Sequence, residues 1–374
     1  MNAADPVKGA GPVSSAGPGH EASRLDDAAA GEPPAGVVMA ARTPWFDLEE
    51  CSGHRTVRWE GGERVGEAPM TMDTYHDLAS VTKIVATTTA LIRLVSERLV
   101  DLDAPLSAYL PRSYEAITVR DLLLHRGGLW EWWPLYIQPE MPPPRYRPGR
   151  ARRYSDLGFI LLGRIVAAAT GQRLDRAVAE LVTRPLGLTQ TSYARPMGVD
   201  AAMSALDDRV EMTMLDTGRP YPVPYRSGDF AGWRREPVLG QVADGNAHHA
   251  LGGVAGHTGL FSTVPDLLRF CLAMSRYEDH DRLWRPAVAR EFFTAGPDPE
   301  QALGFRRYAL DLAGEQVTVL GHPGYVGCAV GFVPGRDVAL VVASNRLLVQ
   351  GGPTPTDDLW HALLRATERR SRIA

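Results

Sequence analysis

The sequence predicts an α+β fold of the α/β-sandwich kind, in which one antiparallel sheet is built from both ends of the chain and packed by terminal helices. Strand-like segments occur near the start of the chain and again in its last quarter, at 35–41, 54–65, 315–322, 328–334 and 337–345. Helical patterns lie mostly between these two groups. We therefore expect a mainly helical lobe, about 80–261, inserted into an α/β lobe made of about 35–79 and 262–374.

The start of the chain differs in composition from the rest. Its Ala, Gly, Pro and Ser content predicts a disordered tail, residues 1–34, ahead of a single domain at 35–374. The tail has no basic segment followed by an apolar one, and no apolar run in the chain reaches the roughly 18 residues that span a bilayer. We expect a cytoplasmic protein without a membrane partner.

The helices are predicted from apolar periodicity and from the residues at their ends. The predicted helical segments are 80–99, a short helix within 117–130 that ends at Gly127-Gly128, 155–171, 262–274 and 356–370. Thr118 and Thr356 are expected as N-terminal caps, and Gly171 as a C-terminal stop. The segment 131–150 is predicted to be a long loop rich in Trp and Pro, and 195–255 to be rich in turns without a long periodic segment.

Charge and cysteine content argue against several classes of function. The formal net charge is −4 and the basic residues are scattered, so no nucleic-acid partner is expected. Cys51, Cys271 and Cys328 are far apart and odd in number, which argues against a disulfide framework and fits a reducing compartment. The chain has no phosphate-binding or dinucleotide-binding glycine motif, so we expect no cofactor of that kind.

The stretch "DLASVTK" holds Ser80 and Lys83 three residues apart, where a helix is expected to start. A lysine at i+3 lies on the same helix face one turn later, within reach of the serine hydroxyl. Such a serine becomes a nucleophile when a base takes its proton, and free N–H groups at the helix start can stabilise an oxyanion. The same spacing also fits a capping serine followed by a surface lysine, so this motif alone leaves both interpretations open.

Two further motifs follow in order along the chain. "RYSDLGF" places Tyr154 and Asp156 before an apolar helix, and "VLGHPGYVG" places His322 and Gly324 at the end of a predicted strand. With "DLASVTK" and "LGGVAGHTGLFST", these motifs resemble the serine β-lactamase and penicillin-binding-protein superfamily over about 35–350. Within it, the chain is most similar to the class C β-lactamase-related esterases, transacylases and D-peptidases.

The resemblance implies a role for each matching residue. Ser80 would be the acylated nucleophile, Lys83 its proton partner, and Tyr154 the group that shuttles a proton to the leaving group. The backbone N–H groups of Ser80 and Tyr325 would form the oxyanion hole. The family often has Asn where this chain has Asp156, and a carboxylate there is expected to hold Lys83 as a cation. A cationic Lys83 would depress the pKa of Tyr154, so that the phenolate would act as the base.

The third motif departs from the family as well. His322 and Pro323 stand where penicillin-recognising members carry Lys and Thr, which bind the substrate carboxylate, whereas Gly324 matches and is expected to leave room for substrate. Histidine is mostly neutral at pH 7, and proline has no side-chain donor. We therefore expect an uncharged ester or amide substrate rather than β-lactams or D-Ala-D-Ala peptides.

Several other residues have two interpretations that the sequence leaves open. Trp130, Trp132 and Trp133 either form the wall of an acyl or acceptor pocket or fix their loop to the core. His257 lies in a glycine-rich loop that is structural or lines the cleft, and Asp244 is expected to stabilise a turn. No metal site is expected, because the nearby histidines lack a carboxylate or cysteine at zinc-binding spacing.

Three functions fit these motifs. The first is a small-molecule carboxylesterase or amidohydrolase, in which water resolves a Ser80 acyl-enzyme. The second is a transacylase that passes the acyl group to an amine or alcohol, as in superfamily members that tailor secondary metabolites such as antibiotics. The third is a weak β-lactamase or D-peptidase, or a ligand sensor that has lost turnover.

Overall fold

An antiparallel sheet of seven strands organises the described part of the chain. The computed structural model describes residues 31–110, 114–194 and 198–373. The strands are β1 Gly36–Arg42, β2 Asp47–Glu60, β3 Glu63–Pro69, β4 His76–Asp77, β5 Met203–Ala205, β6 Val238–Leu239, β7 Phe261–Ser262, β8 Arg306–Leu312, β9 Glu315–Pro323, β10 Ala329–Val333 and β11 Val338–Ser344. The order in the large sheet is β3-β2-β1-β11-β10-β9-β8, whereas β4 pairs with β7 and β5 with β6.

The pairing of β1 with β11 joins the two ends of the chain into one sheet. Val37 lies opposite Ser344 and Arg42 opposite Ala339 in an antiparallel register. The predicted sheet built from both chain ends is therefore confirmed.

Helices cover both faces of this sheet. They are α1 Thr89–Ser96, α2 Val119–Leu123, α3 Asp156–Thr170, α4 Leu174–Val178, α5 Arg209–Thr217, α6 Val264–Ser275, α7 Pro286–Phe293 and α8 Thr356–Ser371. Alternate residues of a strand point to opposite faces. Val38 and Ala40 accordingly join the core of α6 and the helical lobe, while Val37 and Met39 join the smaller core beneath Trp360 of α8. The predicted α/β sandwich is confirmed.

Some elements differ from the sequence prediction. The segment 54–65, predicted as a strand interrupted by Gly61 and Gly62, belongs to two strands, because both glycines have positive φ and turn β2 into β3. Strand β2 also begins earlier than predicted, at Asp47. Strand β8 and the helices α4, α5 and α7 were not predicted from the sequence. All four are short, at nine residues or fewer, so few periods of an apolar pattern can develop along them.

Of the helix ends predicted at Thr118, Gly171 and Thr356, two are confirmed and one is wrong. Thr118 forms the predicted cap, with its side chain accepting from the Asp121 N–H, and Gly171 ends α3 with a φ of 64°. The prediction for Thr356 is wrong. Pro355 stands at the cap position of α8, and the Thr356 hydroxyl instead donates to the Gly324 carbonyl at 2.9 Å.

Most of the predicted tail, residues 1–30, lies outside the described residues. At residue 32, the Glu32 N–H donates to the Gly352 carbonyl at 2.8 Å, and the Glu32 carbonyl accepts from the Thr354 N–H at 3.0 Å. One helical run, Ala79–Ser96, has the length and apolar composition of a membrane span, and 78% of it is buried inside the protein.

Candidate active site

A strained turn presents Ser80. Ala79 has a φ of 43°, a left-handed conformation that a non-glycine residue rarely adopts. The buried Asp77 carboxylate holds this turn, because it accepts the Ala79 N–H at 2.9 Å and the Ala243 N–H at 2.7 Å. Burial raises the pKa of Asp77 to about 6. The helix predicted at 80–99 is irregular. It has a 3-10 turn at Ala79–Val81 and a π-helical segment at Lys83–Thr88 before α1 begins.

Lys83 is fully buried and has three acceptors around its Nζ. Nζ donates to Ser80 Oγ at 2.8 Å, to Asp156 Oδ1 at 2.7 Å and to the His257 carbonyl at 3.2 Å. Three acceptors match the three donors of an ammonium group. Lys83 is thus not the surface lysine of the capping interpretation. Ser80 lies inside the 3-10 turn rather than at its cap position, and its hydroxyl contacts Lys83 and Tyr154.

Tyr154 completes the cluster from the start of α3. Its hydroxyl lies 2.8 Å from Ser80 Oγ, and its ring packs against His125 with centroids 4.7 Å apart. Ser155 fixes this position, because its hydroxyl caps α3 and donates to the Trp130 carbonyl at 2.7 Å. The buried His125 ring adds to this by accepting the Ser155 N–H at Nδ1. The structure therefore brings the three predicted catalytic residues together with Asp156.

The expected direction of the Tyr154 pKa is wrong for this structure. Burial, followed by the charge of Asp156, raises the pKa of Tyr154 well above its ordinary value. Burial also lowers the pKa of Lys83, and the Asp156 carboxylate offsets part of that decrease. The sequence argument considered only the lysine charge beside the phenol, whereas desolvation outweighs that attraction in a closed site. A free Tyr154 phenolate is therefore disfavoured.

His322 is neutral and has a defined tautomer. Burial, with the positive charges of Arg306 and Lys83, lowers its pKa well below the ordinary value. Nδ1 lies 2.7 Å from the Pro323 carbonyl, which can only accept, so Nδ1 carries the proton. Nε2 then presents a lone pair, and this buried atom has no hydrogen-bond partner among the described residues. This position therefore lacks the cation that the family uses for carboxylates.

Gly324 serves a different purpose from the expected one. A Cβ at this position would lie 2.5 Å from the Leu78 carbonyl oxygen and 3.3 Å from Ala79 Cβ. The turn before Ser80 thus occupies the space that was expected to be left for substrate. The close approach brings Tyr325 into the small cluster that contains Ala79. The two segments of the predicted oxyanion hole are therefore neighbours.

His257 lies next to Lys83 in the protein interior, and Asp244 lies next to His257. The His257 ring is 1% exposed, and its Nε2 lies 3.3 Å from Asp244 Oδ1. Asp244 also accepts the Ala247 N–H at 2.8 Å, as a turn-stabilising aspartate does. The charge of His257 lowers the pKa of Asp244 against the opposing effect of burial. His257 thus contacts the catalytic cluster through its carbonyl, and its ring is turned into the protein.

The three tryptophans are packed into the protein to different degrees. Trp132 and Trp133 are 4% and 8% exposed, and Trp133 packs edge-on against Tyr225 at 5.3 Å. Trp130 is partly buried and carries the Arg145 guanidinium 4.5 Å above its ring. This packing favours the interpretation that Trp132 and Trp133 fix their loop to the core.

A family comparison agrees with this geometry. The model of the beta-lactamase family matches residues 52–363, more than half of the chain. The chain belongs to the beta-lactamase family.

Two relatives of this chain bear the names of an amidase and a carboxypeptidase. This beta-lactamase-family chain is 30% identical over 364 residues to the N-acetylmuramyl-L-alanine amidase of Bacillus subtilis (strain 168), covering 86% of this chain and 78% of that protein. It is 31% identical over 315 residues to an Escherichia coli (strain K12) protein named provisionally as a D-alanyl-D-alanine carboxypeptidase, covering 74% of this chain and 70% of that protein. The protein is therefore a serine-hydrolase-type enzyme.

Solved structures share the fold. A simvastatin synthase mutant from Aspergillus terreus superposes with a TM-score of 0.64 at 20% identity, covering 91% of this chain and 92% of that one. The D-stereospecific amidohydrolase from a Streptomyces species gives a TM-score of 0.61 at 22% identity, covering 89% and 95%. A synthase and an amidohydrolase thus share this architecture.

Sequence reasoning missed two residues near this beta-lactamase-family site. Arg306 lies on the unpredicted strand β8, with its guanidinium carbon 5.9 Å from the centre of the Tyr154 ring. Tyr221 is near enough for the charges of Asp156 and Lys83 to act on it, and burial raises its pKa. Neither residue belongs to a motif, so no local signal was available. Within the described ranges, no group of three or more His, Cys, Asp or Glu side chains is placed to hold a metal ion.

Proposed function

We propose that this enzyme transfers the acyl group of an ester or amide to Ser80 and then to water, as a carboxylesterase or amidohydrolase. The observation that supports this proposal is the continuous hydrogen-bonded path from Lys83 through Ser80 Oγ to Tyr154, with both links at 2.8 Å. A serine that donates to one neighbour and accepts from a cation is poised to attack a carbonyl carbon.

The directions of the pKa shifts indicate how the proton moves. Ser80 Oγ forms the bond to the acyl carbon while its proton passes to the Tyr154 oxygen. Tyr154 releases its own proton to the departing oxygen or nitrogen as that bond breaks. This relay needs no free phenolate, so it agrees with the raised pKa of Tyr154. Lys83, held by Asp156, stabilises the negative charge that develops on the serine oxygen.

Deacylation reverses the same path. Water gives a proton to Tyr154 and attacks the acyl carbon, and Tyr154 returns a proton to Ser80 Oγ as the ester bond breaks. We propose that the backbone N–H groups of Ser80 and Tyr325 bind the carbonyl oxygen in both steps. The packing of Tyr325 beside Ala79 supports this assignment.

A transacylase is the second candidate. The Trp130 carbonyl accepts from Ser155 next to Tyr154, and Trp130 packs on Trp133 at 5.0 Å and Trp133 on Tyr225 at 5.3 Å. We propose that this neighbouring aromatic group reduces the access of water to an acyl-enzyme, which would favour an amine or alcohol acceptor. The cytoplasmic location expected from the sequence remains a prediction, which fractionation of the source cells would test.

The test is acylation with a panel of p-nitrophenyl esters and nitrocefin, with and without added amines, followed by intact-mass measurement. We expect an adduct of one acyl group on the wild-type protein and none on Ser80→Ala. Free acid as product indicates a hydrolase, and partition to the amine indicates a transacylase. An adduct that survives in Ser80→Ala would refute the assignment of the nucleophile.

A further inference from the structure

A single buried carboxyl group connects the segments that surround Ser80. Asp77 is 2% exposed, and its two oxygens accept the N–H groups of Ala79 at 2.9 Å and of Ala243 at 2.7 Å. Its backbone carbonyl also accepts from Cys328 Sγ at 3.4 Å. One residue therefore links the turn before Ser80, the segment around Ala243 and the segment that follows strand β9.

The position of Asp77 is itself fixed by the backbone. Strand β4 pairs Asp77 with Phe261 of β7, and the next residue, Leu78, donates its N–H to the Leu260 carbonyl at 2.9 Å. The left-handed turn at Ala79 comes directly after this support. A strained conformation persists only where its surroundings hold it, and the Asp77 carboxylate supplies the acceptor for the Ala79 N–H.

A carboxylate is costly to bury at this position. Among the described residues, no basic side chain forms an ion pair with Asp77, and a buried charge without a partner is unfavourable. The two backbone N–H groups approach different oxygens, and their hydrogen bonds offset part of that cost. An amide of the same shape offers only one acceptor atom. Asp77 is therefore suited to holding two segments at once.

The second segment of the proposed oxyanion hole packs against the same part of the chain. The Gly324 N–H donates to the Cys328 carbonyl at 2.6 Å, which closes the turn that contains Tyr325. The Cys328 thiol donates to the Asp77 carbonyl, and the Leu78 carbonyl oxygen lies against Gly324. The backbone at residues 77 and 78 thus contacts both segments that would bind an oxyanion.

We propose that Asp77 is a positioning residue for acyl transfer, whose carboxylate keeps the Ser80 N–H aligned with the Tyr325 N–H in the oxyanion hole. This inference rests on the proposed function, in which those two N–H groups bind the carbonyl oxygen. The Asp77 carboxylate contacts backbone N–H groups, so it acts through the conformation at Ala79 and not on the reacting atoms. Donors of an oxyanion hole must meet the oxygen where charge develops, so a rotated turn weakens the transition state more than substrate binding.

A dependence on pH follows from the same contacts. Burial raises the pKa of Asp77 to about 6. A protonated carboxyl group has one oxygen that donates, so the Ala79 N–H or the Ala243 N–H loses its acceptor as the pH falls through this value. The turn before Ser80 is then released from one of its two supports, and acylation slows.

The neighbours of Asp77 do not account for a change near this pH. The titratable or charged side chains that adjoin it are His76 on its own strand, Arg234 and Asp244 from the segment that includes Ala243, and Tyr325 and Cys328 from the segment after β9. Burial lowers the pKa of His76 to about 4, raises that of Cys328 to about 12 and raises that of Tyr325 well above its ordinary value. A neighbouring histidine lowers the pKa of Asp244 against the effect of burial. Within this group, Asp77 is the residue that titrates near pH 6.

The test compares Asp77→Asn with the wild type in the acylation of Ser80 by a p-nitrophenyl ester. The burst of p-nitrophenol gives the acylation rate constant and the dissociation constant of the ester separately. The amide keeps the shape of the side chain but directs a donor at one backbone N–H. We expect the acylation rate constant to fall about 10²-fold, and the dissociation constant to stay within about threefold of the wild type.

Asp266→Asn is the matched control. Asp266 is 1% exposed and accepts the Gln190 N–H at 2.7 Å, outside the site. Its replacement also removes a buried carboxylate that holds a backbone N–H, and it should leave both constants unchanged. A wild-type acylation rate constant in Asp77→Asn overturns the proposal, and so does a loss that appears in the dissociation constant alone.

The pH profile separates positioning from a general loss of structure. Between about pH 5 and about pH 8, the wild-type acylation rate constant should decline on the acid side, and this decline should be absent from Asp77→Asn. If Asp77→Asn does not fold, the wild type is measured alone, together with its near-UV circular dichroism. A decline of the rate constant with an unchanged spectrum and dissociation constant supports the proposal, and a rate constant independent of pH overturns it. Absence of any Ser80 adduct in the wild type would instead overturn the proposed function, and the inference with it.

Discussion

Replacement of Asp156 by Asn tests the charge arrangement at the centre of the site. Lys83 Nζ lies 2.7 Å from Asp156 Oδ1, and the two side chains are 0% and 13% exposed. With an effective dielectric constant of about 20 and about 4 Å between the charge centres, the attraction is about 4 kcal/mol. Its loss lowers the pKa of Lys83 further, because burial then acts without the opposing carboxylate.

The effect on stability follows from the sign of this shift. Burial already sets the pKa of Lys83 below its unfolded value. Between the folded and unfolded pKa values the unfolded chain binds more protons, so stability rises with pH in that window. In Asp156→Asn the window extends to lower pH, and the variant is less stable than the wild type by about 3 kcal/mol near pH 7. We expect this difference in stability to narrow as the pH approaches the pKa of lysine in the unfolded chain.

Two assays check the argument. Urea denaturation near pH 7 and near pH 9.5 gives the stability difference at each pH. The second assay is the pH profile of kcat/KM. Activity that needs a cationic Lys83 should be lost at a lower pH in the variant than in the wild type. Asp266→Asn is the matched control, since Asp266 is 1% exposed and pairs with Arg269 outside the site. An Asp156→Asn variant with the wild-type rate and the wild-type pH profile would refute the reasoning.

Two other outcomes are expected. Tyr154→Phe removes the hydroxyl that lies 2.8 Å from Ser80 Oγ but keeps the ring against His125. We therefore expect kcat/KM to fall by a factor of about 10²–10⁴ with little change in melting temperature. A rate within tenfold of the wild type would contradict the proton relay. Burial and the charge of Asp244 raise the pKa of Glu211 to about 8, above its unfolded value. The folded chain then binds more protons, and this group's stabilising contribution is lost as pH rises from about 4 to 8, by at most about 5 kcal/mol. Glu211→Gln should flatten this dependence in urea titrations at pH 5 and 8.5, and a difference from the wild type that stays constant between them would contradict the burial argument.

Much of the fold could be predicted because its pattern is local. The alternation in β1 and β11 and the apolar period of α3 are visible in short windows, and each specifies which residues face a core. Strand β8 lacks such a signal, since it begins with two arginines and only Leu310 and Leu312 are buried along it. Its place at the sheet edge depends on pairing with β9, which no window of β8 alone contains.

The motifs were sufficient to predict that Ser80, Lys83 and Tyr154 lie together, because the order of three short patterns is itself specific. Their spacing could not specify the protonation of the site. That depends on burial and on charges brought from distant parts of the chain, such as Arg306 beside Tyr154. The role of Gly324 was decided in the same way, by the Leu78 carbonyl that fills its open side. The residue types and their order thus follow from the sequence, whereas pKa values and free space are properties of the packed structure, in which desolvation and close approach act between residues far apart in the chain.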